Sequence, residues 1–309
     1  MRGNRCYNLF VPLEREHKLE VPAALREYVT DIAFARSDGA CRRAALFPPR
    51  AEPSILVRWS PQGEAVVNVL GPLTRAQRKS FDAPRLYVRV GLQASRARAL
   101  LGAPIHEVAN RVVPIEALWG GVGRQLRHSL ASCDLPRAVM RIETSLLERF
   151  RSAKAPTSRE AQVLRAMRSL DDGAGDVSSA ARCVGLSDRH LRRLFQEDLG
   201  MAPKHYARIA RLRRVLSLWR SSSWVGLALE AGFHDQSHLI REFRDLLQMT
   251  PSTFRKGELT KRELDHLAAD LSPAIGAVLE AAQGGAPRPR GARDGARRPE
   301  VCLPSGRAR

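Results

Sequence analysis

Between residues 55 and 92 the apolar positions fall into short β-branched and aromatic runs, ILVRW at 55–59, VVNVL at 66–70 and LYVRVGL at 86–92. Pro, Gly and polar turns separate them, a pattern that predicts strands. From residue 95 the spacing becomes helical, first in SRARALLG at 95–102, then in PIEALWGGVGRQLRHSL from 114 and PRAVMRIETSLLERF from 136. The N-terminal region therefore reads as mixed α+β, a small β-rich unit followed by helices. Val139, Ile142, Leu146 and Leu147 form a stripe on the last of these helices. That stripe suits either packing on its own domain or a dimer contact. Trp59, Trp119, Phe34 and Tyr87 suit a pocket lining or, more commonly for such residues, a core.

From residue 157 to about 282 the pattern is helical, and within it one stretch repeats itself. SDRHLRRLFQEDLGMAP at 187–203 and DQSHLIREFRDLLQMTP at 235–251 align at an offset of 48 residues. His190 answers His238, Leu191 Leu239, Phe195 Phe243, Leu199 Leu247, Met201 Met249 and Pro203 Pro251. Each segment follows a short helical run ending in glycine, VSSAARCVGL and WVGLALEAGF. Helix, glycine turn and capped second helix make a helix-turn-helix unit, here present twice. Ser187 and Asp235 stand where an N-cap oxygen is needed. Gly185 and Gly232 stand where the turn calls for positive φ.

The second helix of each unit, 187–198 and 235–246, has a polar face. Arg189, Arg192, Arg193 and Gln196 are spaced to share one side, with Leu191, Leu194 and Phe195 opposite, against Ala181, Val184 and Leu186. In the second copy Ser237, Ile240, Arg241 and Arg244 face outward, with Leu239 and Phe243 inward. Guanidinium forks on a short capped helix can reach guanine edges and phosphates in a major groove. A solvated face is the plain alternative, which the double copy makes the weaker one.

Residues 157–256 resemble the DNA-binding domain of the AraC/XylS family of bacterial transcription regulators. GLSDRHLRRLF is similar to its first recognition helix, PKHYARIARLRRV to its central linking helix, and AGFHDQSHLIREF with TPSTFRK to its C-terminal signature. The resemblance implies an all-α domain whose two recognition helices enter adjacent major grooves of double-stranded DNA. It assigns base reading to Arg189, Arg192 and Arg193 in the first helix and to Gln236, Ser237, Ile240 and Arg241 in the second. With His190, Gln196, His238 and Arg244 these make up the candidate DNA-contacting set. Lys204 and Arg208 on the linking helix are expected to touch phosphate or solvent. That helix, from Pro203 to about Trp219, spans roughly 26 Å, compatible with the ~34 Å groove repeat once helix thickness is added. Thr157 and Glu160 suit a capping box for the helix before it. Two positions depart from the family pattern: Ile240 at a groove-facing site, and Gln248 where the first copy has Gly200, at a left-handed exit.

GPLT at 71–74, LLGAPIHEV at 100–108 and VPIEALWG at 113–120 resemble the N-terminal domain of one branch of AraC-like regulators. In the wider family this position senses a small molecule or mediates dimerisation. The expected organisation is thus a sensing or oligomerising domain at 1–150, a DNA-binding domain at 157–256, a short helical extension at 257–282 and a disordered basic tail at 283–309.

Charge agrees with a nucleic-acid partner without locating it. Of the net +19, residues 1–156 carry +11 and residues 157–256 only +6. The five cysteines, Cys6, Cys41, Cys133, Cys183 and Cys302, form no CxxC pair, which suits reduced thiols in a cytoplasm; Cys183 is expected to pack within its helix. His234 and His238 have no third ligand nearby, so a capping or phosphate role is expected rather than a metal. No nucleophile motif or phosphate loop is visible. There is no signal-peptide core and no run of the ~18 apolar residues a membrane helix needs.

These readings converge on a cytoplasmic, nucleoid-associated transcription regulator that is not an enzyme and needs neither cofactor nor metal. Double-stranded DNA and RNA polymerase are the expected partners, with a small-molecule effector and a homodimer expected through the N-terminal domain. An architectural or accessory DNA-binding protein is the second reading. A DNA-repair-type enzyme carrying the same DNA-binding unit is the third.

Overall fold

The structure, a computed structural model, describes residues 17–36, 42–60, 62–82, 86–131, 133–152, 157–172, 176–219 and 223–256. The helical extension and basic tail expected after residue 257 lie outside these residues.

The N-terminal half is built on strands β1 (His17–Leu19), β2 (Val29–Arg36), β3 (Arg42–Phe47), β4 (Ser54–Trp59), β5 (Ala65–Leu70), β6 (Gln77–Asp82), β7 (Leu86–Leu92) and β8 (Val112–Pro114). Six form one antiparallel sheet in the order β1-β2-β7-β4-β5-β8, and β3 pairs with β6 as a separate ribbon. The three runs expected to be strands are β4, β5 and β7, the centre of the sheet. The sequence pattern missed β2, β3 and β6, read as VTDIAFAR, RRAALF and QRKSFD. Alanine and charged residues mute the two-residue alternation there, so pairing with β7, or with each other, decides their structure.

Register gives the sheet two unlike faces. Ile32, Ile55, Val57, Trp59, Val67, Val69, Val88 and Val90 point to one side and are buried. Against this side pack α1 (Ala94–Leu101), α2 (Ile105–Val108), α3 (Ile115–Trp119), α4 (Gly121–Leu130) and α5 (Leu135–Ser152). The opposite face carries Ala33, Ala35, Ser54, Leu56, Arg58, Val66, Asn68, Tyr87 and Arg89. The helix expected from residue 114 is two helices, broken at Gly120 (φ 56). The stripe on α5 packs on its own domain: Ile142 and Leu146 lie in the core with Phe150, while Val139 and Leu147 are half-buried. Trp59 and Trp119 are core aromatics, their indole N–H groups donating to the Leu130 and Leu100 carbonyls at 2.8 and 3.1 Å.

The C-terminal half is all α, through α6 (Ser158–Asp171), α7 (Val177–Cys183), α8 (Asp188–Leu199), α9 (Pro203–Leu218), α10 (Trp224–Glu230), α11 (Gln236–Leu247) and α12 (Pro251–Lys256). Thr157 and Glu160 form the expected capping box on α6. Tyr206 on α9 is fully buried beside Phe195, and Phe243 joins Trp224 and Phe254 in edge-on ring contacts. This core also takes in Leu46, Ala51, Ala76 and Ala94 of the N-terminal half, so the halves share apolar packing. Cys183, expected inside its helix, is exposed; Ala180 and Ala181 take the buried positions of that single short turn of apolar face.

Candidate nucleic-acid interface

Both helix-turn-helix units close as the repeat requires. In the first, α7 and α8 flank Gly185 at φ 69, and Ser187 Oγ accepts from the His190 amide at 3.3 Å. In the second, α10 and α11 flank Gly232 at φ 78, and Asp235 Oδ1 accepts from the His238 amide at 2.6 Å. That backbone bond, with a second from the His234 ring, holds the Asp235 carboxyl below its ordinary pKa. The side chain therefore stays ionised at the positive end of the α11 dipole.

The apolar residues of α8 and α11 point in, and what remains faces out. Leu191, Leu194, Phe195 and Leu199 are buried on α8, as are Leu239, Phe243, Leu246 and Leu247 on α11. Arg189, His190, Arg192, Arg193 and Gln196 are all exposed. On α11 Gln236, Ser237, Arg241 and Arg244 are exposed, while His238 and Ile240 are half-buried. The His238 ring meets Phe233 edge-on with centroids 5.3 Å apart, and its Nε2 lies 3.7 Å from Glu242. It is therefore tied into the unit more closely than its counterpart His190. Arg193 pairs with Glu197, one turn on, at 4.0 Å, and its side chain is 68% exposed.

Helix α9 joins the units over 16 residues, about 24 Å, with Pro203 in its first turn where the missing N–H is not needed. Arg208 is not a phosphate or solvent contact as expected from sequence. Its Nε donates to Glu242 at 2.7 Å, and its terminal nitrogen also pairs with Asp245. These carboxylates lie on the side of α11 turned toward α9, so Arg208 fixes the angle of the second recognition helix. Lys204 is exposed, as expected. Arg213 on the same helix bridges Glu52 at 2.6 Å and Asp171 at 3.2 Å. Burial pushes the Glu52 carboxyl up, but the Arg213 charge, a backbone hydrogen bond, the Arg213 hydrogen bond and the Arg50 charge together outweigh it and hold the pKa below the ordinary value.

The N-terminal half grips the C-terminal ends of both recognition helices. At α8, Arg98 of α1 lies 3.0 Å from Glu197 and 3.3 Å from Asp198, and Arg159 of α6 closes the cluster at 2.6 and 2.7 Å. Burial pushes the Asp198 carboxyl up even beside two guanidiniums. At α11, the Ala76 amide donates to the Leu246 carbonyl at 2.7 Å and Arg75 pairs with Asp245 at 3.0 Å. Next to them His205 of α9 meets the Thr74 carbonyl at 2.6 Å. Sequence reasoning missed Arg98, Glu197, Asp198, Glu242 and Asp245, because ion pairs between distant segments leave no local pattern. The outward faces of α8 and α11 remain exposed beside these contacts, with Arg193 reaching the cluster through Glu197. Among the described residues no group of His, Cys, Asp and Glu is placed to hold a metal ion. No described helix is long and apolar enough to cross a membrane.

Residues 180–257 match a family model described as a helix-turn-helix domain. The bifunctional transcriptional activator/DNA repair enzyme Ada of Escherichia coli K12 is 38% identical over 82 residues, 26% of this chain and 23% of that protein. The HTH-type transcriptional regulator GlxA of Rhizobium meliloti is 33% identical over 96 residues, 30% of each. An uncharacterized HTH-type transcriptional regulator of Haemophilus influenzae is 29% identical over 82 residues, 26% of this chain and 28% of that protein. The chain thus spans less than a third of the length of each of these relatives. Among solved structures, ToxT of Vibrio cholerae superposes loosely, at 10% identity and a TM-score of 0.38 over 74% of this chain and 98% of that one.

Proposed function

We propose that this chain, whose residues 180–257 are a helix-turn-helix domain of the AraC type, is a sequence-specific transcription regulator reading two adjacent major grooves. The observation that carries this is the pair of capped helices, α8 and α11, each with its apolar side buried and an arginine-bearing side exposed. Arg189, Arg192, Arg193 and Gln196 are proposed to read one groove, with Gln236, Ser237, Arg241 and Arg244 reading the next. Ile240 is proposed to meet a thymine methyl at the groove edge. His190 and His238, each donating a backbone amide to its helix cap, are proposed to add contacts at the two helix starts.

The N-terminal half is proposed to sense a small molecule or a second copy of the chain, and to act through the ends of the recognition helices it holds. Such a signal changes DNA binding only by the difference in affinity between the free and DNA-competent states. RNA polymerase is the proposed protein partner. The relatives named as regulators support a non-enzymatic role, and the 82 residues matched in Ada are too small a part of that protein to bring its repair activity here.

Genomic footprinting of the intact protein tests the proposal. It predicts discrete sites with two half-sites about one helical turn apart. Uniform coverage with no shared sequence would refute it and favour an accessory DNA-binding role.

A further inference from the structure

The sheet face turned away from α1–α5 is largely buried yet polar, and it holds a positive charge that the described residues leave unneutralised. Register places Arg58 of β4 between Tyr87 of β7 and Val66 of β5. Asn68 lies opposite Leu56, so Arg58 and Asn68 are diagonal neighbours on one face. Asn68 is only 3% exposed, and among the described residues its carboxamide has no hydrogen-bond partner. Arg58 makes no ion pair among the described residues, and its Nε is buried without an acceptor. Burial lowers the pKa of this guanidinium. The neighbouring charges are already engaged: Arg89 pairs with Asp31 at 2.7 Å, and Arg50 donates to Ser54 Oγ at 3.1 Å.

Buried donors without acceptors are rare in folded proteins and mark a missing partner or a role. A planar guanidinium with several donors fits a carboxylate through two parallel hydrogen bonds. Leu56 and Val66, half-buried on either side, offer the apolar surface an organic molecule needs.

We propose that this face is a binding site for a small organic acid, its carboxylate taken by Arg58 and a further polar group met by Asn68. The site deepens the reading of the N-terminal half as a sensor and rests on it. It also has a direct line to the DNA-binding half, because Glu52, just before β4, is the residue that pairs with Arg213 on α9.

The test uses full-length protein with benzoate, octanoate and inorganic phosphate as separate probes, read by calorimetry and thermal melting. At least one carboxylate should bind and raise the melting temperature of the wild type. Affinity for it should fall at least tenfold in Arg58→Met and in Asn68→Leu, with phosphate the weaker ligand throughout. Without probe, Arg58→Met should melt at or above the wild-type temperature, since a partly buried charge with an unsatisfied Nε opposes folding. A probe-free Arg58→Met that melts well below wild type, or fails to fold, would make Arg58 a structural residue and overturn the proposal. So would the absence of carboxylate binding, binding unchanged in both variants, or binding of phosphate alone. DNA binding of the probe-free wild type is measured on the same samples; its failure would count against the regulator reading and leave the acid site standing.

Discussion

Gly200 and Gln248 occupy the same left-handed turn, at φ 68 and φ 58, at the C-terminal ends of the two recognition helices. The Gly200 amide closes on the Gln196 carbonyl at 3.1 Å and the Gln248 amide on Arg244 at 2.9 Å. Identical backbone geometry is thus carried by different residues, and a side chain in this region is strained where glycine is not. Gly200 has a second constraint, because a Cβ there would lie 2.9 Å from Ala109 Cβ and 3.1 Å from the Ile105 carbonyl oxygen. The first unit meets α2 at that point.

Gln248→Gly should therefore stabilise the protein by about 0.5–1 kcal/mol, with DNA affinity unchanged. Gly200→Ala should destabilise it by about 1–3 kcal/mol, from the left-handed strain plus the clash with α2. Urea melts of both variants check this; midpoints that move in the same direction would contradict it.

Arg193→Ala should weaken specific binding by about 1–3 kcal/mol and relax preference at one base position. Lys204→Ala should weaken specific and random DNA alike and lower the salt slope by about one. Binding isotherms over a range of salt, on the footprinted site and on random duplex, separate the two. Equal losses from Arg193→Ala on both duplexes would remove its base-reading role.

Arg208→Ala removes the cation that Glu242 and Asp245 share, leaving Asp245 with Arg75 and Glu242 beside the His238 ring. The expected cost is about 1–3 kcal/mol of stability. DNA binding should suffer more than stability does, because α11 loses the contact that sets its angle. Charge reversal, Arg208→Glu with Glu242→Arg, should recover part of both. If Arg208→Ala behaves like Lys204→Ala, changing only salt-dependent affinity, then Arg208 is a phosphate contact after all.

The Glu52–Arg213 pair gives a pH signature. The folded-state pKa of Glu52 is lowered, so its contribution is fully present above the ordinary glutamate value of 4.5 and is lost as pH falls through the folded value. With both side chains partly open to solvent, that contribution should be about 1 kcal/mol. Glu52→Gln should accordingly lower stability at neutral pH and converge on the wild type in acid. A difference that stays constant from pH 7 down to pH 3 would show that the pair contributes nothing through charge.

Deleting residues 1–150 should leave residues 157–256 folded and still selective for the same site, because both units, α9 and most of their shared core lie within the fragment. Its melting temperature should fall, since Ala51, Ala76 and Ala94 no longer cover that core and Arg98 no longer reaches Asp198. Regulated transcription in cells should be lost. A reporter that responds to the fragment as it does to the whole chain would show that the N-terminal half is no sensor.

The amino-acid sequence by itself determined the local features that have local causes. The offset repeat located both helix-turn-helix units. Ser187 and Asp235 marked their caps, Gly185 and Gly232 their turns, and the arginine spacing on α8 its outward face. Each of these depends on residues within a turn or two of one another, so a linear pattern records it. The central strands β4, β5 and β7 were legible for the same reason, since their buried positions print short β-branched and aromatic runs into the chain. Tertiary structure alone decided the rest. Arg208 reads as one more surface cation until α11 brings Glu242 and Asp245 to it from more than thirty residues away. β2 becomes a strand because β7 supplies its hydrogen-bond partners. Arg58 looks like the polar member of an amphipathic strand, and only packing on the second sheet face buries its Nε without an acceptor. Electrostatic pairing and burial depend on distance in space, which sequence separation does not encode.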